Sequence, residues 1–527
     1  MKSNYEVLIV GGGPVGMGLA IELGLRGISV GLVERRTEAH RIPKGQNLMQ
    51  RTVDHFYCWG IADELRAAKV MPDDYPIGGV TTYGNLMSEY WYKPPQREAV
   101  QDFFFQPNDR LPQYCMEDVL REKMATLENV DALYGWHADR VEQDSDSVRV
   151  TLLDEGDIEE QIIEADYVVG CDGAHSTVRD QIDVERKGSD FDQKMVLAVF
   201  RSKELHEGLK RFPEVTTYRA MKPEHKGYWQ FFGRIDVGEG WFFHAPVPLD
   251  ATADNMDFKA LIQEAAGFEF ELEFDHVGFW DLKVAVAETY QMGRVFIAGD
   301  AAHSHPPYGG YGVNNGLEDA RNLGWKLAAK LQGWGSDALL NSYSQERHPI
   351  FVETGEDFIA GRIDSEGKFF DTYSPDKDLD EFIEAWEKKK QGSARYAVAY
   401  EPNYEGSDVI DGPEGGVCTA HGEHMFKARA GHHLAPFPLS SGKNIFEELG
   451  NDFTLLALDS DPGVVESFQK AAADTAIPLE TIKDGRSGGR EQYEARYILV
   501  RPDHYIVWCG DNPPADINAL LSKAVGG

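Results

Sequence analysis

The chain has 527 residues, of which 42% are hydrophobic and 11% are aromatic. This length exceeds one compact core, so two or three domains are expected, and the composition excludes a disordered or fibrous protein. The formal net charge is −36, from 52 Lys and Arg against 88 Asp and Glu. Because such a surface repels phosphate backbones and anionic lipids, nucleic acid and membranes are excluded as expected partners.

The cysteine pattern favours the reducing cytoplasm. The five cysteines are scattered and form no C-x-x-C pair, which argues against a disulfide framework and a zinc ribbon. They are Cys58, Cys115, Cys171, Cys418 and Cys509. The apolar stretch near the N-terminus, residues 7–25, is interrupted by glycines and contains Glu22, so we predict no signal peptide and no membrane span.

The first elements in chain order form a βαβ unit. An apolar run, Tyr5–Val10, ends in a glycine cluster and is followed by a helical pattern over Val15–Leu25 and a second apolar run, Ser29–Val33. This order predicts a parallel, doubly wound sheet. The aromatic and proline-rich stretch Met71–Pro112 breaks the pattern and predicts an inserted or edge segment.

The middle of the chain is rich in strand patterns. Residues 194–248 predict an antiparallel sheet with one aromatic face. A buried strand at Arg294–Ala298 and a helix over Gly316–Leu331 then return to the first domain, and a Gly- and Pro-rich linker follows at 401–416. We therefore expect a nucleotide domain from 1–180 and 281–400, a sheet domain at 181–280, and a small α/β domain at 401–527.

A glycine motif at the first strand–helix turn predicts a dinucleotide site. Gly11, Gly13 and Gly16 form G-x-G-x-x-G, and Glu34 stands eighteen residues after Gly16 at the end of the second strand. Glycines let the backbone and the helix N-terminus approach a pyrophosphate, and the carboxylate can accept hydrogen bonds from ribose hydroxyls. The motif does not separate NAD from FAD.

Two further motifs carry a family resemblance. Asp166–Arg179 contains an Asp-Gly pair at 172–173, and Gly293–Leu327 contains a Gly-Asp pair at 299–300. With the glycine motif, they resemble in order and spacing the motifs of single-component, FAD-dependent aromatic hydroxylases, closest to the phenol, dichlorophenol and polyketide hydroxylases. Residues 428–458 and 498–503 resemble the thioredoxin-like C-terminal domain of the larger members. The implied fold is α/β, a Rossmann-like FAD domain interleaved with an antiparallel substrate sheet, plus that C-terminal domain.

The resemblance implies roles for individual residues around FAD. Asp300 would accept ribityl hydroxyls, the Gly309–Gly312 loop would face the flavin N1–C2=O edge, and Pro306 and Pro307 would form the wall near C4a. Asp172 would have Arg179 as its partner. Structural roles remain open for Asp172, for Gln113 as a helix start and for Arg51 as a surface cation. The predicted cofactor-binding residues are Gly11, Gly13, Pro14, Val15, Gly16, Glu34, Arg35, Arg51, Gln113, Asp172, Asp300, Pro307, Gly310, Gly312, Val313 and Asn314.

The antiparallel sheet supplies the candidates for substrate binding and catalysis. Pro307 and His244 are the candidate catalytic residues, and ordinary core packing is the alternative for each aromatic side chain of the sheet. Strand alternation puts Trp241 and Phe243 on one face and Phe242 and His244 on the other, so only one pair can face the substrate ring. No metal site is predicted, since His303-x-His305 lies inside the flavin motif. The predicted substrate-binding residues are Tyr228, Gln230, Trp241 and Phe243.

The family resemblance implies a reaction. NAD(P)H would reduce FAD, O2 would add at C4a, and the distal oxygen of the hydroperoxide would be transferred to a phenolic or other electron-rich ring. One alternative is a polyketide- or antibiotic-modifying monooxygenase performing hydroxylation, epoxidation or Baeyer–Villiger oxidation, and a second is a flavin-binding scaffold or sensor. The expected partners are a small aromatic substrate, O2 and NAD(P)H, and the family expectation is a homodimer.

Overall fold

A computed structural model describes residues 2–95 and 97–527. The predicted insert Met71–Pro112 therefore includes one residue, Gln96, that lies outside the described residues. Two large sheets, a small C-terminal sheet and the helices that cover them organise the chain. This arrangement confirms the α/β fold class. Among the described residues, none of the helices is both long enough and apolar enough to cross a lipid bilayer.

The first large sheet is parallel at its centre and brings the three motifs together. The strands Asn4–Val10, Glu160–Gly170 and Val295–Ile297 lie side by side, with Val10 opposite Gly170 and Gly170 opposite Ile297. Because parallel strands end at the same edge, the segments that follow them meet there. In spatial order the strands are Gln291–Met292, Val295–Ile297, Glu160–Gly170, Asn4–Val10, Val30–Glu34 and Val130–Tyr134, with a hairpin of Trp136–Gln143 and Val148–Asp154 paired to Glu160–Gly170.

The second large sheet is mainly antiparallel. The aromatic insert supplies its edge, since Gly79–Tyr83 pairs with Thr217–Met221. Its longest strands, Arg186–Arg201 and Glu273–Ala287, pair along most of their length. In spatial order the strands are His303–Ser304, Glu273–Ala287, Arg186–Arg201, Gly240–Val247, Trp229–Arg234, Thr217–Met221, Gly79–Tyr83 and Trp91–Tyr92.

Helices cover both sheets, and the longest one, Gly312–Leu331, is packed tightly against Pro14–Gly24. Glycines allow this approach, because a Cβ at Gly324 would lie 2.4 Å from Cγ of Glu22. The π-helical turn Thr354–Ala360 connects two helices. The α-helices are Pro14–Gly24, Gln50–Cys58, Ala62–Ala67, Gln113–Ala125, Thr177–Gln181, Lys203–Gly208, Phe258–Ala266, Gly312–Leu331, Asp337–Glu353, Gly361–Thr372, Leu379–Gln391, Arg395–Ala399, Pro462–Asp474 and Ile517–Ala524.

The C-terminal region forms a small mixed sheet with helices, as the strand and helix patterns predict. Phe453–Leu458 pairs in parallel with Leu479–Asp484 and antiparallel with Tyr497–Val500, which in turn pairs with Ile506–Gly510. The segment before this sheet carries a short strand pair, Tyr400–Tyr404 with Cys418–His421. The predicted linker at 401–416 therefore begins within a strand.

A buried ion cluster fastens the C-terminal region to the first domain. The Glu346 carboxylate, fully buried, accepts two hydrogen bonds of 2.7 Å from Arg501 and one of 2.7 Å from Nζ of Lys326. Burial alone would raise the pKa of Glu346, but the adjacent cations Arg501 and Lys326 hold it well below its usual range. Removing Glu346 would leave Lys326 buried without its counter-charge, whereas Arg501 would keep its pair with Asp503.

Glu346→Gln should therefore lower the free energy of unfolding by about 3–5 kcal/mol, because the buried Lys326 loses its carboxylate partner and Arg501 loses one of two. The thermal unfolding midpoint of the purified protein measures the change. Glu384→Gln is the matched control, since Glu384 pairs with Lys388 at 2.7 Å on an exposed helix surface and its loss should leave the midpoint unchanged. Equal midpoints for the two variants would contradict the role given to Glu346.

Candidate active site

The glycine loop has the geometry that a pyrophosphate site needs. Gly11 has φ +110°, and a Cβ there would lie 2.3 Å from the Cys171 carbonyl oxygen. A Cβ at Gly16 would lie 2.0 Å from the Gly11 carbonyl oxygen, whereas at Gly13 it would meet no atom within 4 Å. Gly13 caps the helix that begins at Pro14. The loop backbone beside Gly13 is therefore accessible to a bound phosphate.

Glu34 is held beside this loop. Its carboxylate accepts hydrogen bonds from the backbone N–H groups of Gly12, at 2.7 Å, and Arg36, at 2.8 Å. Each carboxylate oxygen can accept more than one hydrogen bond, so ribose hydroxyls can still bind there. Arg35 is exposed next to it. The position of Glu34 at the end of Val30–Glu34 is the one that the glycine motif predicts.

The three motifs touch one another at the edge of the parallel sheet. Val15 of the glycine motif packs on the Gly-Asp motif and its helix, because Cβ atoms at Gly299 and Gly316 would lie 2.9 and 2.5 Å from its Cγ2. The carbonyl of Cys171, the residue before the Asp-Gly pair, packs directly against Gly11. The close packing of the three motifs therefore depends on glycine at each contact.

Asp172 and Arg179 do not form the expected pair. Oδ2 of Asp172 accepts a hydrogen bond from the Val178 backbone N–H at 3.1 Å, while Arg179 binds Asp180 and the Ala301 carbonyl, each at 3.0 Å. The pairing was wrong because the short helix Thr177–Gln181 turns the guanidinium toward the Gly-Asp turn. Burial raises the pKa of Asp172, and within the described chain its Oδ1 has no hydrogen-bond partner.

Asp300 lies in the turn directly after the strand Val295–Ile297, with its side chain exposed. The turn is fixed by Asp319, which accepts hydrogen bonds from the Gly299 N–H at 3.0 Å and from Arg347 at 2.8 Å. His303 hydrogen-bonds to the same carboxylate at 2.6 Å. Asp319 is thus the residue that sets the position of Asp300, and His303 has a structural partner.

The helix that follows begins at Gly312 without a side-chain cap, so its first N–H groups are available to the electron-rich edge of a flavin. Asn314 ties this helix start to the segment around residue 49. Its Oδ1 accepts a hydrogen bond from the Met49 N–H at 2.7 Å, and its Nδ2 donates to the Gly310 carbonyl at 2.6 Å. A cofactor contact of Asn314 would therefore come from its backbone. Val313 lies beside Gly45: a Cβ added at Gly45 would be 3.5 Å from Cγ1 of Val313.

Gln113 and Arg51 both have partners in the protein. Gln113 begins its helix, accepts a hydrogen bond from the Gly45 N–H at 3.2 Å and donates to Glu117 at 2.7 Å. Arg51 is not a surface cation: Nε donates to Glu318 at 3.0 Å, and Nη2 also reaches the Asp503 carbonyl of the C-terminal region. Only Nη1 has no hydrogen-bond partner among the described residues, so a cofactor contact would have to use this atom.

One face of the antiparallel sheet packs against the flavin-motif loop, and it is the face of Phe242 and His244. Trp229, on this face, stacks on Tyr308 with ring centroids 5.4 Å apart, and Tyr308 directly follows Pro307. Trp229 also contacts His244, at 6.3 Å between centroids. Pro307 itself is exposed.

The opposite face belongs to the core. Trp241 and Phe243 are fully buried in a cluster with the helix Phe258–Ala266. Gln230 pairs with Ala220 on the same face. The structure therefore contradicts substrate contacts for these three residues, because the helix covers their side of the sheet. Tyr228, at the start of the strand, is half-buried against Phe191, at 6.4 Å between ring centroids.

His244 is a buried imidazole among aromatic rings. Phe242, Trp229 and Trp280 surround it with ring centroids 5.5–6.3 Å away. Burial lowers the pKa of His244 to about 4, so the ring is neutral at physiological pH. Within the described chain its Nδ1 has no hydrogen-bond partner. A neutral, unpaired ring nitrogen can serve as a polar contact for a substrate hydroxyl.

Arg110 is a residue of this site that the sequence analysis missed. Its guanidinium donates to Asn47 at 3.1 Å and to Gln46 at 2.8 Å and lies 5.8 Å from the ring centroid of Phe242. Burial lowers its pKa to about 9, and among the described residues no carboxylate pairs with it. Arg110 thus joins the segment around residues 46–47 to the Phe242–His244 face of the sheet. The sequence feature that could have indicated Arg110 is its position three residues before Gln113, a predicted cofactor-binding residue.

Two protein families match this chain. Residues 4–356 match the family model of an FAD binding domain, and residues 427–527 match the model of the aromatic-ring hydroxylase C-terminal domain. The chain belongs to the FAD-dependent aromatic-ring hydroxylase family. This confirms the resemblance inferred from the three motifs.

Individual members of the family are similar along much of the chain. Rifampicin monooxygenase of Streptomyces venezuelae is 33% identical over 66% of this chain and 69% of its own. The 4-methyl-5-nitrocatechol 5-monooxygenase of a Burkholderia species is 27% identical over 99% of this chain and 97% of its own. The structure of the rebeccamycin biosynthetic enzyme RebC with reduced flavin superposes with a TM-score of 0.84, at 27% identity and full coverage of both chains.

FAD is the cofactor of the family, and the residues of this chain fit it. The open backbone at Gly13, the carboxylate of Glu34, the exposed Asp300 and the unpaired Oδ1 of Asp172 supply the donors and acceptors that pyrophosphate, ribose and ribityl groups need. The uncapped N-terminus of Gly312–Leu331 supplies N–H groups for the ring edge.

Asp300→Ala should reduce FAD occupancy, because the ribityl chain loses a carboxylate acceptor. The flavin absorbance per protein after exhaustive dialysis measures the effect, with the wild-type protein dialysed in parallel. Asp254→Ala is the control, since this exposed aspartate precedes the helix Phe258–Ala266 and lies outside the expected contacts of FAD. Full retention of yellow flavin by Asp300→Ala would exclude the ribityl role.

Proposed function

We propose that this protein is an NAD(P)H-dependent monooxygenase that hydroxylates a phenolic or other electron-rich aromatic ring. The observation that carries the proposal is the packing of the aromatic face with His244 and Trp229 onto the loop of Pro307 and Tyr308. This places a largely aromatic surface, with the Nδ1 of His244 unpaired among the described residues, next to the flavin motif. The five cysteines are free, which suits the reducing cytoplasm that we propose as its compartment.

The cofactor and the chain divide the work. Bound FAD supplies the redox chemistry, carrying electrons from NAD(P)H to O2. Pro307 has no backbone N–H, so it offers the flavin an exposed wall without a proton donor. Trp229, Phe242 and Trp280 exclude water from the substrate side. Exclusion of water favours transfer of oxygen to the substrate over its loss as peroxide.

His244 has a defined part in this scheme. As a neutral ring it can accept a hydrogen bond from the phenolic O–H, which orients the substrate and increases electron density in the ring. A pKa of about 4 makes it a poor acceptor of the full proton. We therefore assign His244 the positioning and polarisation of the hydroxyl group rather than its deprotonation.

A second candidate function is the modification of a larger natural product. The similarity to rifampicin monooxygenase and to RebC, whose names refer to an antibiotic and to rebeccamycin biosynthesis, supports it. The aromatic insert forms the edge of the second sheet, and its Phe104 packs against His433 of the C-terminal region, at 5.5 Å between centroids. The scaffold alternative is disfavoured by the intact contacts of all three motifs.

Anaerobic reduction of the bound flavin tests the proposal directly. NADH and NADPH are each mixed with the holoenzyme, alone and with simple phenols, polycyclic phenols and polyketide quinones, and the loss of flavin colour is followed. Strong acceleration by one aromatic class identifies that class and the reductant and supports hydroxylation. Rapid reduction that no aromatic accelerates would contradict the proposed function.

His244→Phe should raise KM for a phenolic substrate and lower kcat by about tenfold, because the hydroxyl loses its acceptor while the apolar packing is retained. His244→Asn, which keeps a polar side chain, should recover part of both losses. Steady-state kinetics of the two variants, at equal flavin content, provide the measurement. If His244→Phe matches the wild type in KM and kcat, His244 does not contact the substrate.

A further inference from the structure

Arg110 is a cation that the fold encloses without a counter-charge. It is 3% exposed, and among the described residues no carboxylate pairs with its guanidinium. The adjacent Asp109 has other partners, because its Oδ1 lies 3.4 Å from Nζ of Lys69 and accepts a hydrogen bond from the backbone N–H of Arg110 at 2.8 Å. Burial lowers the pKa of Arg110 to about 9, which leaves the guanidinium charged at neutral pH.

Neutral oxygen atoms hold the guanidinium in place. Nη1 donates to Oδ1 of Asn47 at 3.1 Å, and Nη2 donates to Oε1 of Gln46 at 2.8 Å and to the Arg234 carbonyl at 2.9 Å. Nε is buried and has no hydrogen-bond partner within the described chain. These acceptors orient the side chain but do not cancel its charge. In surroundings of low dielectric constant, this charge acts strongly on any anion that forms nearby.

The two amides that bind Arg110 belong to a segment that lies along the start of the helix Gly312–Leu331. The Asn47 carbonyl accepts a hydrogen bond from Nδ2 of Asn314 at 2.9 Å. A Cβ added at Gly310 would lie 3.5 Å from Cβ of Asn47. Gly310 and Asn314 are part of the loop and helix start that we expect at the flavin N1–C2=O edge. One side chain, that of Asn47, therefore separates the Arg110 guanidinium from this loop.

Reduction of a flavin changes the charge at this edge. A hydride, which brings two electrons and one proton, converts the neutral oxidised ring into a reduced ring that carries one negative charge. A fixed cation nearby lowers the free energy of the charged form relative to the neutral form. The charge of Arg110 would therefore favour the reduced flavin over the oxidised flavin.

We propose that Arg110 sets the reduction potential of the bound FAD by stabilising its reduced, anionic form. The uncapped N-terminus of the helix Gly312–Leu331 supplies partial charges at the same edge, whereas Arg110 supplies a full charge. The assignment concerns the cofactor of the family. It goes beyond the proposed function and does not depend on which substrate receives oxygen.

Redox titration of the holoenzyme against a reference dye tests the assignment. In Arg110→Gln, the preference for reduced over oxidised flavin should fall about tenfold, which lowers the two-electron potential by about 30 mV. Arg110→Lys keeps the charge and should keep the potential close to that of the wild type. The flavin absorbance per protein shows whether each variant retains FAD.

Gln46→Glu neutralises the charge without removing the arginine. Oε1 of Gln46 already accepts a hydrogen bond from Arg110, and Nε2 of Gln46 has no hydrogen-bond partner among the described residues. A carboxylate can therefore occupy the same place and form an ion pair with Arg110. The potential should fall about as far as in Arg110→Gln. This variant tests the role of the charge even if Arg110→Gln does not fold.

Lys259→Gln is the control for the loss of one positive charge. Lys259 pairs with Glu271 at 2.8 Å on the exposed side of the helix Phe258–Ala266, which covers the face of the sheet opposite to Phe242. Its loss should leave the potential unchanged. A fall in potential equal to that of Arg110→Gln would reduce the effect to one of net charge and overturn the assignment.

The assignment is also overturned if Arg110→Gln and Gln46→Glu both retain FAD and keep the wild-type potential. If the potential is unchanged but bound 4-nitrophenol loses its phenolate absorbance in Arg110→Gln, the charge acts on the substrate and not on the flavin. The potential is measured without turnover. If it falls as expected while no aromatic compound accelerates flavin reduction, the assignment of Arg110 holds and the proposed function fails.

Discussion

The structure depends on the burial of charge along one helix, Gly312–Leu331. Its N-terminus lies at the proposed flavin site, and its middle carries Glu318, Asp319, Arg321 and Lys326, all buried. Each of these charges is paired with a residue from a different part of the chain, as Arg321 is with Glu22 at 2.6 Å. Because an unpaired buried charge is strongly destabilising, the helix can take this position only when its partners are in place. These buried ion pairs therefore hold the helix, and with it the proposed flavin site, in position.

This constraint separates what the sequence could predict from what it could not. Parallel strands and the motifs that directly follow them were predictable, since Gly11, Asp172 and Asp300 each stand at the end of an apolar run and such ends share one edge. The partners of Arg51 and Arg179 were not. Arg51 lies 267 residues from Glu318 along the chain, and no local pattern indicates that the two side chains meet.

The substrate sheet shows the same division. Alternation correctly separated Trp241 and Phe243 from Phe242 and His244, because side chains point to opposite faces of a strand at every second residue. The choice between the faces depends on where the helix Phe258–Ala266 packs, which is a tertiary contact. Arg110 was missed for a related reason: a lone arginine is normally exposed, and only the folded chain shows that it is enclosed beside Phe242.

The ion pair between Glu346 and Arg501 also indicates that the C-terminal region is not an independent module. Although the C-terminal region has its own sheet, the carbonyls of Pro502 and Asp503 accept hydrogen bonds from Arg321 and Arg51 of the first domain. Truncation before residue 427 would open these buried cations to water and remove their acceptors. The stability of the flavin domain therefore depends on the C-terminal region. A chimera that takes this region from a relative would also need that relative's residues at the positions of Arg321 and Arg51.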